Sequence, residues 1–327
     1  MAVSYVLHGT GRNVRVSKET AEKIRKAASD LRYQPNNLAR SLRNRQTHMV
    51  GVVFQHFGRL SENNPYYPML LNGIMSALFP QKYTLALCPE LVQGGNEQAI
   101  MDGRFDGILW ARPDFSQGSV ELLRNANVPV VLLHAPPGSA QGIPSFSADN
   151  DGALKLAIRH LRDLGHREMG FILNNPLDQS AEGKARINAF QHSTEEEGLK
   201  GSLFVWNEKI EELKEFLDAN PNLTGIICFS DTLAGTILQM CEALNIQIPG
   251  QLSVIGFDSS SFCETTKPRL TSIHQPVEHI AREAVLHLLE LIKANVAGEE
   301  LSATTSTTYK CSLDVRDSTA PPRRIAT

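Results

Sequence analysis

Short unbroken apolar runs, alternating with amphipathic helical windows in two successive sets, constrain this chain more than any other feature. The first set holds "MVGVVFQ" (49–55), "YTLALC" (83–88), "GILWA" (107–111) and "PVVLLH" (129–134), with a helix across "YYPMLLNGIMSALF". The second begins after "FSADNDGALKLAIRHLRDLGH" and holds "MGFIL" (169–173), "LFVW" (203–206), "GIICFS" (225–230) and "SVIGFD" (253–258). A strand wetted on one face alternates apolar and polar residues. A continuous apolar run instead implies a strand covered on both faces, as in a parallel sheet layered by helices. Two such sets, each of about a hundred residues or more, predict two α/β lobes.

The 327 residues, 42% of them apolar, can fill two such cores and a small third module. No apolar run approaches the ~20 residues of a membrane span, and no charged-then-apolar leader is expected. The cysteines (Cys88, Cys228, Cys241, Cys263, Cys311) are odd in number, scattered and without a CxxC pair. They read as thiols in a reducing cytoplasm rather than disulfides or zinc ligands.

Charge is unevenly spread. Residues 1–50 hold ten Lys or Arg against Glu19, Glu22 and Asp30, so they carry +7, which leaves −10 on the remainder of a chain whose net charge is −3. A basic module on an acidic body suggests that the N-terminus alone meets a polyanion. Within it, Ser17 is placed to cap a helix with Ile24, Ala27, Ala28 and Leu31 on one face. "YQPNN" ends that helix, because Pro35 disfavours helix at Gln34. A shorter segment follows, "NNLARSLRNRQT", with Leu38 and Leu42 four apart. It is too short and too charged to be a stable helix alone and needs a partner.

In parallel lobes the binding groups gather at the carboxyl ends of strands. Reading just past each strand yields His56, Trp110, Arg112, His134, Asn174, Asp231 and Asp258. Rings, amides, carboxylates and an Arg suit a hydroxyl-rich ligand, because carboxylates accept hydroxyl hydrogen bonds and an Arg fork donates two. Enzyme classes lack their signatures: there is no GxSxG elbow, GxxxxGK[ST] loop or HExxH motif. His160 and His166 lie six apart, which does not put two metal ligands on one helix face. No metal or cofactor is expected.

The segment "VSYVLHG", followed by "RVSKETAEKIRKAASDLRYQPNNLARSLRNRQTHMVGVV", resembles the lactose-repressor (LacI) family of bacterial transcription regulators. The match runs from residue 2 to about residue 316. It implies a two-lobed, periplasmic-binding-protein-like core of two parallel sheets flanked by helices, behind a small all-α helix-turn-helix headpiece. Residues 1–46 would be a partial headpiece and hinge helix, 47–317 the effector-binding and dimerisation core, and 318–327 a tail. Within the core, the N-lobe would comprise 47–147 and 275–305, and the C-lobe 148–274 and 306–317. Crossovers are expected near Phe146–Asp149, Thr271–Gln275 and Ala303–Lys310.

Carried over residue by residue, Ala2–His8 match the back half of the helix that reads the major groove, with Ser4 and Tyr5 on DNA. Ser17–Leu31 match the third helix. Asn37–Arg45 match a hinge helix, with Asn37 and Arg40 at the backbone and Leu42 as a minor-groove wedge. The bracing helix has no counterpart, and the expectation is a start assigned at an internal methionine. "NPYY" brings Tyr66 and Tyr67 to the cleft, "SAEGKARINAF" brings Arg186, "SADND" brings Asp149, and "CFSD" and "GFDSSS" bring Asp231 and Asp258. With Arg112 and His134 these form the expected ligand set. The resemblance implies a cytoplasmic, homodimeric, operator-binding repressor controlled by a neutral, hydroxyl-rich effector, a sugar or sugar derivative. The alternative is a stand-alone sugar-binding protein that has lost DNA binding.

Overall fold

The computed structural model describes residues 2–8, 15–33, 46–54, 65–88, 103–111, 117–174, 180–207, 209–299 and 306–322. The chain divides into two compact units, residues 1–47 and 48–327.

The small unit holds α1 (Ala2–His8) and α2 (Lys18–Asp30). Ser17 caps α2, its hydroxyl accepting from the Thr20 amide at 3.2 Å. Glu19 in the first turn favours the positive helix end and pairs with Lys23 at 2.7 Å. Ala21, Ile24 and Ala28 are half-buried, whereas Ala27 is exposed. Leu31, expected on the apolar face, is the C-cap and is 80% exposed. Tyr5 and Val6 of α1 line a groove with Val16, Ala21 and Arg25.

The large unit contains two six-stranded sheets. The first is built from β1 (Met49–Phe54), β2 (Thr84–Cys88), β3 (Gly107–Ala111), β4 (Val130–Leu133), β5 (Ser145–Ala148) and β11 (Ser306–Tyr309). Its order is β11-β5-β4-β3-β1-β2, parallel throughout. The second is built from β6 (Glu168–Asn174), β7 (Lys200–Trp206), β8 (Gly225–Cys228), β9 (Ser253–Asp258), β10 (Thr271–His274) and β12 (Ser312–Asp314). Its order is β12-β10-β9-β8-β6-β7, parallel except for β12 against β10.

Helices cover both faces of each sheet, which is why the central strands are apolar without alternation. α3 (Tyr66–Leu78) and α9 (Val277–Ala297) bury Ile74, Ile280, Ala284 and Leu288 against Val52 and Leu109. Those two helices approach closely at Gly73, where a Cβ would stand 2.3 Å from the Glu278 carbonyl oxygen. α4 (Gln117–Arg124) closes the other face with Leu123 over Ile108 and Leu132. Trp110, a strand-end candidate, belongs to this core and is fully buried.

In the second lobe, α5 (Asn150–Leu164) and α6 (Ala181–Glu196) bury Leu154, Ile158 and Phe190 against Phe171 and Phe257. α7 (Ile210–Ala219) and α8 (Asp231–Ala243) bury Leu213 and Ile237 against Ile226 and Val254. Each such fully buried side chain contributes about 1.5–3 kcal/mol.

Three chain passages join the lobes: β5 into α5, β10 into α9, and β11 into β12. β11 was expected in the second lobe but pairs with β5 in the first sheet, so the second lobe resumes at Ser312. The expected tail also begins too early. Ser318 is fully buried, donates to the Val254 carbonyl at 2.6 Å and accepts from the Thr271 amide at 2.8 Å, so residues 318–322 strap the second lobe. Cys88, Cys228, Cys241 and Cys263 are buried free thiols, and Cys311 is a half-buried one. Among the described residues, no helix is long and apolar enough to cross a membrane.

Candidate functional site

The carboxyl ends of the two sheets meet a single set of side chains. On the first lobe, Tyr66 and Tyr67 are the first two residues of α3, where no side chain caps the helix. Their rings meet edge to face at 5.6 Å. Tyr67 also packs on Phe54 at 5.8 Å, and Tyr66 on His134 at 5.3 Å. His134 directly follows β4 in the left-handed region, φ 51°, with its amide bonded to the Phe146 carbonyl at 2.7 Å. Burial, with the Arg186 charge adding to it, pushes the His134 imidazole down to about 3, so the ring is neutral near pH 7. Its Nε2 is buried and has no hydrogen-bond partner among the described residues.

On the second lobe, Arg186 sits in the second turn of α6 and is 4% exposed. Its Nε donates to Asn150 Oδ1 at 3.1 Å, Nη1 to the Phe229 carbonyl at 2.6 Å, and Nη2 to Glu182 Oε1 at 3.1 Å. The guanidinium lies 3.6 Å from the centroid of the Phe257 ring and 4.4 Å from that of Phe229. Such a cation held between two aromatic faces gains further attraction from their quadrupoles. Arg186 is thus a packing centre as well as a cleft group. These contacts require that Arg186→Ala lose stability even without ligand.

Asp258 closes β9 at φ 120° and Ser259 follows at φ 50°, two consecutive non-glycine residues in a strained backbone region. A network holds them there. The Ser259 amide donates to Ser272 Oγ at 3.0 Å, and its hydroxyl donates to Asp314 at 2.6 Å. Asp231 accepts from the Ser260 amide and hydroxyl, both at 2.8 Å, and from the Ser272 hydroxyl at 2.5 Å. Asp231 is fully buried behind the turn, with both oxygens committed to protein groups. It was expected at the ligand. The structure makes it the anchor that positions Asp258.

The Asp258 carboxylate accepts from the Gln275 amide nitrogen. Burial drives its pKa well above the usual carboxylate range, the Asp231 charge adds to this, and Arg186 opposes it. The Tyr66 hydroxyl is also driven well up, by burial first and then by the charges of Asp258 and Glu182. These mutual effects, with the Tyr66–His134 ring contact, put Tyr66, His134, Arg186, Glu182 and Asp258 within electrostatic reach of one another.

Asp149 has a different task. It is the N-cap of α5, its carboxylate accepting from the Gly152 amide at 3.0 Å. A Cβ at residue 152 would stand 2.4 Å from Asp149 Oδ2, so the glycine of "SADNDG" serves this cap. Asn174 ends β6 and is half-buried. Arg112, His56, Asn37, Arg40 and Leu42 lie outside the described residues. Ser4 lies on α1, with its side chain outside the description, and Tyr5 is 39% exposed. Among the described residues, no cluster of His, Cys, Asp or Glu could hold a metal ion.

Three further cleft groups escaped the sequence reading: Glu182, Asn150 and Gln275. Glu182 is 7% exposed and Gln275 1%, and the buried Oε2 of the first and Oε1 of the second have no partner among the described residues. A signal existed for Glu182, since "SAEGKAR" puts it four residues before Arg186 on one helix face.

Two wound parallel sheets, joined by three passages and with polar groups converging at their carboxyl ends, define a periplasmic-binding-protein-like core. The profile of the periplasmic binding protein-like domain matches residues 158–319. The HTH-type transcriptional repressor PurR of Vibrio atlanticus is 28% identical over 90% of this chain and 89% of its own. The ribose operon repressor of Escherichia coli K12 is 27% identical over 89% and 90%. The crystal structure of the lac repressor dimer bound to operator and an anti-inducer shares the fold. It matches at TM-score 0.80 and 18% identity, over 97% of this chain and 94% of that one. In sequence the chain is similar to transcriptional repressors over nine-tenths of its length, and in fold to the lac repressor, as the resemblance to the lactose-repressor (LacI/GalR) family implies. Its named relatives are repressors rather than enzymes.

Proposed function

We propose that this protein is a cytoplasmic, homodimeric repressor whose affinity for operator DNA is set by a small hydroxyl-rich effector, a sugar or sugar derivative, bound between the lobes. Operator contact is assigned to the basic segment, with Ser4, Tyr5, Asn37 and Arg40 at the DNA and Leu42 as the wedge. The relatives' names supply the role of repressor. The residues supply the effector class.

The observation that carries the effector reading is the set of buried polar atoms without partners among the described residues at Glu182 Oε2, Gln275 Oε1 and His134 Nε2. Leaving such an atom dry costs roughly 1–3 kcal/mol each, and ligand hydroxyls bridging the lobes would satisfy all three. Bound effector therefore favours one arrangement of the lobes. By linkage, effector and operator then alter each other's affinity by the same factor.

A thermal-shift screen of sugars and nucleobases tests this reading. Stabilisation by at least one sugar is expected, abolished in Tyr66→Ala, which removes a cleft wall from the first lobe. Stabilisation by nucleobases and by no sugar would overturn the effector class.

A further inference from the structure

The unsatisfied groups on the second-lobe wall are not balanced between donors and acceptors. Glu182 Oε2 and Gln275 Oε1 are acceptors by nature, both buried and both without a hydrogen-bond partner among the described residues. Gln275 cannot turn its donor toward the cleft while Asp258 is ionised, because its amide nitrogen is committed to that carboxylate. On the donor side, Arg186 gives three of its five N–H groups to Asn150, the Phe229 carbonyl and Glu182.

The charge count leans the same way. Glu182 and Asp258 face one guanidinium, and the imidazole opposite is neutral. Asp231 stands behind them with its oxygens taken, and Asp149, although capping α5, adds a further carboxylate close to the Cys311 passage. A buried carboxylate that lacks a full set of partners is costly unless a cation or several donors meet it. Burial lifts the Glu182 carboxyl above its usual range, with Arg186 and Asn150 opposing, as expected for an acid short of positive charge.

We infer that the effector carries a protonated amine on a hydroxylated saturated frame, an amino sugar or aminopolyol, with its ammonium group at the wall formed by Glu182, Gln275 and Asp258. This rests on the cleft being the effector site, and it replaces the neutral ligand expected from sequence. An ammonium offers three donors and one positive charge, which meets the two unpartnered acceptors and lets the buried carboxyls give up the protons that burial makes them hold. The edge-on Tyr66 and Tyr67 rings opposite would pack against the C–H face of the frame.

Calorimetry on the full chain tests the assignment with glucosamine, galactosamine, mannosamine and glucamine, each against its neutral counterpart glucose, galactose, mannose or sorbitol. At least one amine should bind ten-fold or more tightly than its counterpart. Glu182→Gln keeps an oxygen for Arg186 Nη2 and should weaken that amine at least ten-fold, with no fall in the unfolding midpoint of the free protein. Binding by none of the four amines overturns the inference, as does equal binding of amine and counterpart, or an unchanged amine affinity in Glu182→Gln. Should that variant not fold, the ratio of amine to counterpart in the wild type decides. Binding of neutral sugars alone removes the amine and leaves the cleft as effector site. Binding of nucleobases alone removes both.

Discussion

The two lobes share one winding order yet offer unlike chemistry at corresponding positions. β4 and β9 occupy the same place in their sheets, third from the edge that carries β11 or β12. Each delivers a residue of positive φ at its carboxyl end, His134 in one lobe and Asp258 in the other. α3 and α6 likewise follow the equivalent strands β1 and β6, and their second residues are Tyr67 and Glu182. The first lobe thus presents rings and a neutral imidazole, and the second presents a guanidinium and carboxyl groups. A repeated scaffold fixes where side chains arrive. Which side chains arrive decides the ligand.

The comparison breaks most readily at Arg186. Arg186→Ala strands Glu182 and Asp258 without their cation and should cost about 3–5 kcal/mol of stability, read by urea denaturation. Among the described residues, no cleft side chain of the first lobe balances buried charge in this way, and Tyr66→Ala should cost less. A loss below about 1 kcal/mol for Arg186→Ala would show that the carboxyls are already neutral.

The paired strand ends should titrate in opposite directions. His134 is neutral in the folded state down to about 3, whereas the unfolded ring takes its proton near 6.5. Its contribution is therefore complete above pH 6.5 and is lost as pH falls toward 3, at about 1.4 kcal/mol per pH unit. His134→Asn, which tolerates the left-handed backbone, should flatten that acid limb.

Asp258 behaves as the mirror image. Its folded pKa stands well above the ordinary 3.8, so the folded state holds the proton more tightly than the unfolded one. Stability from this group is greatest below pH 3.8 and declines as pH rises through the window up to the folded value, by about 1.4 kcal/mol per unit. Asp258→Asn should raise the unfolding midpoint at pH 8 and leave it unchanged at pH 3.5. If both variants shifted the same limb, the assignment of opposite roles to the two lobes would fail.

Asp149→Ala sharpens the comparison from its weakest end. Asp149 caps a helix, so its loss should cost about 1 kcal/mol, the usual penalty for an N-cap. It should change ligand affinity far less than Glu182→Gln.

Much of this architecture was legible in the residues. The continuous apolar runs located β1 to β4 and β6 to β9 to within a few residues at their ends, because central strands covered on both faces admit little else. β5, β10, β11 and β12 were not recognised, since "SFSA", "TSIH", "STTY" and "SLD" carry too little apolar character. Two of their buried hydroxyls are satisfied across the fold instead, Ser145 by Ser306 at 3.0 Å and Ser272 by Asp231, whereas Ser147 Oγ has no partner among the described residues. No local pattern encodes a partner that lies 161 residues away along the chain.

The same division holds at the cleft. Residues by themselves determined that polar groups would collect at strand ends, and they named Tyr66, Tyr67, His134, Arg186 and Asp258. They could not determine which way a strand-end carboxylate turns. Asp231 and Asp258 both follow an apolar run, yet one is fully hydrogen-bonded behind a turn while the other sits among the cleft groups. Only the tertiary structure decided that, because the choice depends on Ser260 and Ser272 arriving from other segments to claim the oxygens of Asp231. Glu182 and Gln275 became cleft groups for the same reason: burial without a partner is a property of the packed whole, and no single stretch of sequence contains it.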